Sequence, residues 1–404
     1  VSRFVLPPYL IDPTALPPLL LTSEPGSFAR DTLARRIPAI LQETLALNPA
    51  FDDDIRRALI ALYDELKNGA IRGLTEDTDD RPLWDATSAP YIGRSWLDVP
   101  WYWAEAFFYR RVLEATGYFR PGPWRGFDPF AAKKRQEWAP EVAPAAVARL
   151  LESLPDDAEA RFERLLHGSL WGNRADLSYM IAAHLGATAA PGDERSNLLA
   201  DDSAALWRYL QARAGGRVAI LADNAGTELL MDVALIDFLL STGLAAEVHL
   251  HLKPQPFYVS DALIQDLVEG VDALPSGGEA AWKLARRVDG HIVAGELILK
   301  THWFNASSLF YCQLPDDLRG DLARMDLVLT KGDANYRRLV GDAHWPPTTP
   351  FADAVAYFPA PVAALRTMKS ELIVGLAAGQ AERLAAQDPA WLVNGQRGVI
   401  QARV

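Results

Sequence analysis

Apolar positions recur at helical spacing through most of the first half of the chain, over 27–47, 52–67, 100–116 and 145–154, with Pro- and Gly-bearing turns between them. Beyond about residue 205 the period changes. Residues 217–222 form a short apolar, β-branched run, and a long apolar helical pattern, 228–246, follows it. Further strands are predicted at 246–252, 291–299, 325–330, 371–375 and 398–403, with helical patterns at 261–270, 334–340 and 379–386. Strands alternating with helices predict βαβ units, and so an α/β fold with a mostly parallel sheet covered on both faces. The expected organisation is a mostly helical region, 1–205, followed by an α/β domain, 206–404.

Ligands of open parallel sheets bind beyond the carboxyl ends of the strands, so the polar residues there are the candidates. The first strand ends in Asp223-Asn224, with Gly226 and Glu228 opening the helix, and the second ends in His249, His251 and Lys253, whose connection leads to Asp261. The third runs into Lys300-Thr301-His302-Trp303-Phe304-Asn305, the fourth into a segment from Lys331 to Arg338, and Arg366-Thr367-Met368-Lys369 stands before the expected fifth. Two carboxylates and an amide oxygen, from Asp223, Asn224 and Asp261, are hard ligands suited to Mg²⁺ or Mn²⁺. Cations at Lys331, Arg337 and Lys369 supply what an anionic substrate needs.

Composition sharpens this. A formal charge of −12 removes the basic face that nucleic-acid binding requires, and it makes each cation near the strand ends more informative. Cys312 is the single cysteine, read as a packing residue; it excludes an intrachain disulfide and points to a reducing, cytoplasmic setting. The start shows no leader pattern, and the apolar stretch 228–246 is broken by Asp232 and Asp237, so no membrane association is expected. Eight of the twelve tryptophans precede residue 210, with Trp84, Trp96, Trp101 and Trp103 grouped, which reads as packed helical core.

The segments from Asp223 to Leu229, Lys331 to Arg337 and Arg366 to Lys369 together resemble the metal-dependent damage-control phosphatase family, in its third subfamily. That subfamily carries an Arg-Thr-x-Lys motif, and its eukaryotic members have also been named acidic-residue methyltransferases. Leu170 to Ser178 and the aromatic stretch from Ser95 to Arg111 fit the same pattern, so the resemblance runs in order over most of the chain. It implies a Rossmann-like α/β/α three-layer sheet with a helical N-terminal region and a divalent metal, Mn²⁺ first, with Co²⁺, Ni²⁺ or Mg²⁺ as other choices. The implied substrates are small phosphate monoesters such as fructose 1-phosphate and fructose 6-phosphate. By the resemblance, Asp223, Asn224 and Asp261 are the metal ligands and catalytic set, while Glu228, Asp333, Asn335, Tyr336, Arg337 and Lys369 bind substrate. Thr227 stands where an aromatic is usual, and Ala334 and Met368 where leucines are, departures that touch sugar preference more than metal chemistry.

Each residue also has a plainer reading. Glu228 complements the positive start of a helix. His249 and His251 share one strand face and are ordinary strand residues, Asp232 and Asp237 are solvated or paired, and Arg174 and Asp176 are an ion pair closing the helical region over the site. The attacking group is a metal-activated water or the Asp223 carboxylate. The competing function is an S-adenosylmethionine-dependent carboxyl methyltransferase, which normally wants a glycine-rich first loop and an acidic residue ending the second strand; here stand a lone Gly226, then His251 and Lys253. A noncatalytic metabolite-binding regulator is the third class.

Overall fold

The computed structural model describes residues 6–185 and 193–404, the side chains of 173–185 and 193–194 excepted. Its longer elements are α1 (Ile37–Leu47), α2 (Asp53–Asn68), α3 (Trp101–Ala115), α4 (Ala143–Glu152), α5 (Ala158–Leu185), β1 (Leu198–Asp201), α6 (Ser203–Ala212), β2 (Gly216–Leu221), α7 (Thr227–Ser241), β3 (Ala245–Leu252), α8 (Ile264–Ala273), α9 (Glu279–Ala294), β4 (Leu297–Thr301), β5 (Leu327–Lys331), α10 (Gly332–Val340), β6 (Val362–Thr367), α11 (Gln380–Gln387) and β7 (Gly398–Arg403). The strands form one sheet in the order β1-β7-β6-β5-β2-β3-β4. Strands β2 to β6 are mutually parallel, β7 runs antiparallel to β6, and β1 is parallel to β7. The carboxyl ends of β2 to β6 therefore share one sheet edge, and those of β1 and β7 point to the other.

Alternation along the strands sorts side chains into two cores. Val218 and Ile220 of β2, with Leu327, Leu329, Ala363 and Leu365, pack under α4, α5 and α7. Ala219 and Leu221, with Val328, Val362 and Ala364, pack against the helical N-terminal region. That second core holds the grouped tryptophans: Trp84, Trp96 and Trp101 are each 1% exposed and Trp103 5%, so they pack as the sequence suggested. Helix α7 is buried along nearly its whole length, and Asp232 and Asp237 within it are paired. Asp232 meets Lys331 at 2.9 Å, and Asp237 meets Arg287 at 2.8 Å and His291 at 3.3 Å. No helix among the described residues is long and apolar enough to cross a membrane. Arg174 and Asp176 lie outside the described side chains.

Three sequence expectations are corrected. The run 291–299 is not one strand: residues to Ala294 end α9, Gly295 stops it with φ 75°, and β4 begins at Leu297. Residues 371–375 are not a strand either. The Arg366 guanidinium takes the carbonyls of Ser370 (3.1 Å) and Leu372 (2.7 Å), and Gln401 Nε2 takes that of Val374 (2.7 Å), so side chains satisfy backbone groups that a ladder would otherwise use. Arg366-Thr367-Met368-Lys369 consequently closes β6 instead of preceding a strand, which puts it at the same sheet edge as Asp223.

Candidate metal centre

After β2 the chain turns through Asp223-Asn224-Ala225, and Gly226, at φ 77°, leads into α7. The segment that returns from β3 pairs with this turn. Ala225 N donates to Ser260 O (2.7 Å), Ala262 N to Asp223 O (2.8 Å) and Lys253 N to Ala262 O (2.9 Å), leaving Asn224 opposite Asp261 in an antiparallel bridge. Backbone pairing thus brings together residues 38 positions apart (223 to 261). Asp261 belongs to this short extended piece, not to the helix, which starts three residues later at Ile264.

The side chains converge. Asn224 Nδ2 donates to Asp223 Oδ2 (2.8 Å) and to Glu228 Oε2 (2.9 Å), and Ser260 Oγ donates to Asn224 Oδ1 (2.5 Å), fixing which way the amide faces. Lys331 Nζ, at the end of β5, donates to Ser169 O (2.6 Å) and reaches Glu228 (3.2 Å) and Asp232 (2.9 Å). Lys253 Nζ lies 3.2 Å from Asp261 Oδ2, yet that buried oxygen has no aligned hydrogen-bond partner among the described residues. Gly332 comes so close to Asp223 that a Cβ built on it would stand 1.9 Å from Oδ2, and its φ is +82°. Only glycine leaves room for that carboxylate.

Electrostatics test whether this set fits a cation. Burial raises the Asp223 carboxyl well above its usual range, and the charges of Glu228 and Asp261 add to the effect. Burial also lifts Asp261 to about 6, with Lys253 pulling the other way. Clustered buried carboxylates are hard donors of the kind a divalent ion satisfies, and the Asn224 amide joins them by turning its oxygen from Ser260 toward Asp223. The sign of the linkage follows: carboxyl groups whose folded values are raised stabilise the metal-free chain below about pH 4, and that stability is lost as pH rises through about 6. The melting temperature of metal-stripped protein should therefore fall by a few degrees across this window, and Mn²⁺ should restore it at pH 7 but not at pH 4. An Asp261→Asn chain should lose part of that pH dependence; superimposable pH profiles for the two chains would contradict the assignment.

The other expected site residues divide. Glu228 is buried within the cluster, bonded to Asn224 and Lys331. Asp333 Oδ1 accepts from Arg366 Nε (2.7 Å), Lys369 N (3.2 Å) and Ser370 Oγ (2.9 Å), so it pins the loop that carries Lys369. Burial would raise the Asp333 carboxyl, but Arg366 and Arg337 outweigh it and hold it low. Asn335 ties strand ends together, Nδ2 donating to Lys331 O (2.9 Å) and Leu221 O (3.3 Å) while Oδ1 accepts from Tyr311 (2.8 Å). Tyr336 is buried against Gln401 (2.9 Å), under the Arg366 guanidinium. Arg337 is buried between Glu105 (2.5 Å) and Asp342 (2.7 Å), stacked 3.7 Å from the Trp101 ring centroid. Lys369 is half-buried, and its ammonium is in no ion pair or hydrogen bond among the described residues. His249 faces Glu247 (3.4 Å), His302 faces Asp317 (3.3 Å), and burial takes His251 down to about 4.

Residues 32–384 match the model of the damage-control phosphatase ARMT1-like domain. The chain is 33% identical to damage-control phosphatase ARMT1 of Danio rerio, over 96% of its own length and 97% of that protein's. It belongs to the ARMT1-like damage-control phosphatase family. The ARMT1 of Homo sapiens is 31% identical, over 96% of this chain and 98% of that protein. Among solved structures, a DUF89-family protein from Pyrococcus horikoshii aligns with TM-score 0.49 and 16% identity, covering 93% of this chain and 98% of its own.

The family is metal-dependent. Several side chains in the cluster at the end of β2 were given no role in the sequence reading. Lys134 Nζ binds Asp266 (2.6 Å) and Asp128 (2.7 Å) and lies 3.4 Å from the Asp261 carbonyl. Glu137 Oε2 accepts from Thr227 N (2.6 Å), capping α7 from a distant segment. Neither had a local signal, because both come from a turn-rich stretch without periodicity. Gly332 did have one: a glycine directly after a strand and before a helix marks a close backbone approach.

Proposed function

We propose that this chain is a metal-dependent phosphatase acting on small phosphate monoesters, sugar phosphates such as fructose 1-phosphate and fructose 6-phosphate among them. In this reading Asp223, Asn224 and Asp261 are the metal ligands and catalytic set, with Mn²⁺ the first choice and Co²⁺, Ni²⁺ or Mg²⁺ also compatible with oxygen donors. One observation carries it: the bridge that sets Asn224 opposite Asp261 gathers two carboxylates and an amide at the sheet edge where α/β ligands bind. A divalent ion held there supplies Lewis-acid stabilisation of charge on a phosphoryl oxygen.

The rest of the chemistry belongs to the chain. Lys369, whose ammonium is uncommitted, grips the phosphate. Asp333 and Arg366 hold its loop, and Asn335, Tyr336 and Arg337 form the frame of the substrate pocket, each already bonded within the fold. Glu228, shared between Asn224 and Lys331, keeps the amide aimed. Because Lys369 binds phosphate in ground and transition states alike, Lys369→Ala should raise KM roughly tenfold and change kcat only a few-fold; an unchanged KM would remove it from the site.

The methyltransferase reading gains no supporting observation. The loop after β2 has one glycine, Gly226, with the Glu137 carboxylate against its Cα, and β3 runs into Lys253. The test is free phosphate released from a panel of sugar phosphates by metal-stripped protein, before and after Mn²⁺ is restored, with methyl transfer assayed alongside. Release only with metal is expected. Methyl transfer without phosphate release would overturn the proposal.

A further inference from the structure

A second group of metal-type donors lies on the opposite edge of the sheet. Asp201 ends β1, which runs against the direction of β2 to β6, so it stands away from Asp223 by topology alone. One and a half turns into α5, Glu163 and His167 are spaced i,i+4 and so share a helix face. His167 Nε2 is 3.9 Å from Glu163 Oε1 and 3.8 Å from Asp201 Oδ2, and ligand atoms of all three lie within 4.8 Å of one another.

The imidazole gives this cluster its meaning. His167 is 5% exposed, and its Nε2 has no hydrogen-bond partner although it points between two carboxylates. A buried ring nitrogen left so close to two acids, yet beyond hydrogen-bonding distance of either, is spaced for something between them. Ligands on zinc bonds of roughly 2.0–2.2 Å in a tetrahedral array stand roughly 3.3–3.6 Å apart, so the two histidine-to-acid distances need only a slight closing, and the two acids, within 4.8 Å of each other, a larger one. Asp201 is already oriented, its Oδ1 accepting from Ser203 N (3.0 Å) and Ser203 Oγ (2.5 Å), which leaves Oδ2 toward the histidine. Arg195 pairs with Glu163 from an exposed position, a contact that a cation can displace. A cavity of about 300 Å³, lined by Glu159, Phe162, Trp207 and the two acids, opens onto the group and gives water a route to a fourth position.

We infer that Glu163, His167 and Asp201 form a second divalent-metal site, of the nitrogen-and-carboxylate kind that takes Zn²⁺, which clamps α5 to the edge strand β1. One imidazole with two carboxylates is a borderline donor set, unlike the all-oxygen set at Asp223, so the two sites prefer different ions. The clamp has a structural reach. Two residues beyond His167, the Ser169 carbonyl holds Lys331, and Gly172 packs against the backbone of Glu228, so α5 joins this site to the first.

The full chain, stripped of metal, is titrated with Zn²⁺ while long-range proton–nitrogen spectra record its seven histidines. One equivalent is expected to move the His167 ring, identified by its loss in His167→Gln, and to do so equally in Asp223→Ala, since the first site contains no histidine. Competition against a chromophoric chelator should show Glu163→Gln binding this ion roughly 10–100-fold more weakly. Zinc-induced thermal stabilisation should disappear in both variants of the α5 pair. If Zn²⁺ leaves the His167 ring unmoved, or binds His167→Gln and Glu163→Gln as tightly as the parent, the site does not exist. Loss of the shift in Asp223→Ala would likewise overturn it as a separate site.

Discussion

Asp223→Ala is expected to lose sugar-phosphate hydrolysis by at least about a thousandfold, and to lose high-affinity Mn²⁺ binding with it. The two losses must come together. Asp223 is 8% exposed, its Oδ2 accepts from Asn224, and its backbone carbonyl accepts from Ala262, so the substitution removes the proposed ligand without removing the pairing that holds Asp261 opposite. It also relieves repulsion among buried carboxylates, because the raised Asp223 carboxyl reports a charge the metal-free fold resists. The metal-free variant should therefore melt at or above the parent, while the parent alone gains stability from Mn²⁺. Activity lost with metal affinity intact would place Asp223 in substrate handling; normal turnover would remove it from the site.

Gly332→Ala should also lower turnover strongly, although it removes no functional group. The added methyl would fall 1.9 Å from Asp223 Oδ2, and the position holds φ +82°, where a side chain is strained in any case. Left-handed backbone costs about 1–2 kcal/mol for a non-glycine residue, and the clash must be relieved by moving either α10 or the carboxylate. A shift of about 1 Å at a catalytic group can lower turnover on the order of a hundredfold. The variant should fold, melt several degrees lower, bind Mn²⁺ more weakly and turn over at roughly one hundredth of the parental rate. Near-parental kcat and metal affinity would show that the close approach is not needed.

The elements that position this site differ in how far they could be read beforehand. The β2 turn was legible because a β-branched run, two polar residues and a helix start follow one another within a few positions, and β3, β5 and β7 announced themselves by the same periodicity. Asp261 stands in the sequence only as an acid at the end of the connection from the second strand, and the family resemblance is what sets it beside Asn224: the pairing that brings the two together crosses a long connection, which no local pattern encodes. The fifth strand was misplaced because 371–375 has the composition of a strand but gives its carbonyls to Arg366 and Gln401. A buried arginine acting as a backbone ligand leaves no period-two trace. Likewise Arg337 reads as a free cation in sequence, and only the fold shows it committed to Glu105 and Asp342. Lys369 keeps the character its sequence suggests because its loop is pinned by others, through Asp333 and Arg366, while its own ammonium is spared.

Diffraction from Mn²⁺-soaked crystals, recorded at the manganese absorption edge, locates the ion itself. An anomalous peak is expected about 2.0–2.4 Å from side-chain oxygens of Asp223, Asn224 and Asp261 together, gone when chelator is added. A chain that hydrolyses sugar phosphates with Mn²⁺ yet shows no peak between those three residues, or shows its peak elsewhere, would contradict their assignment as its ligands.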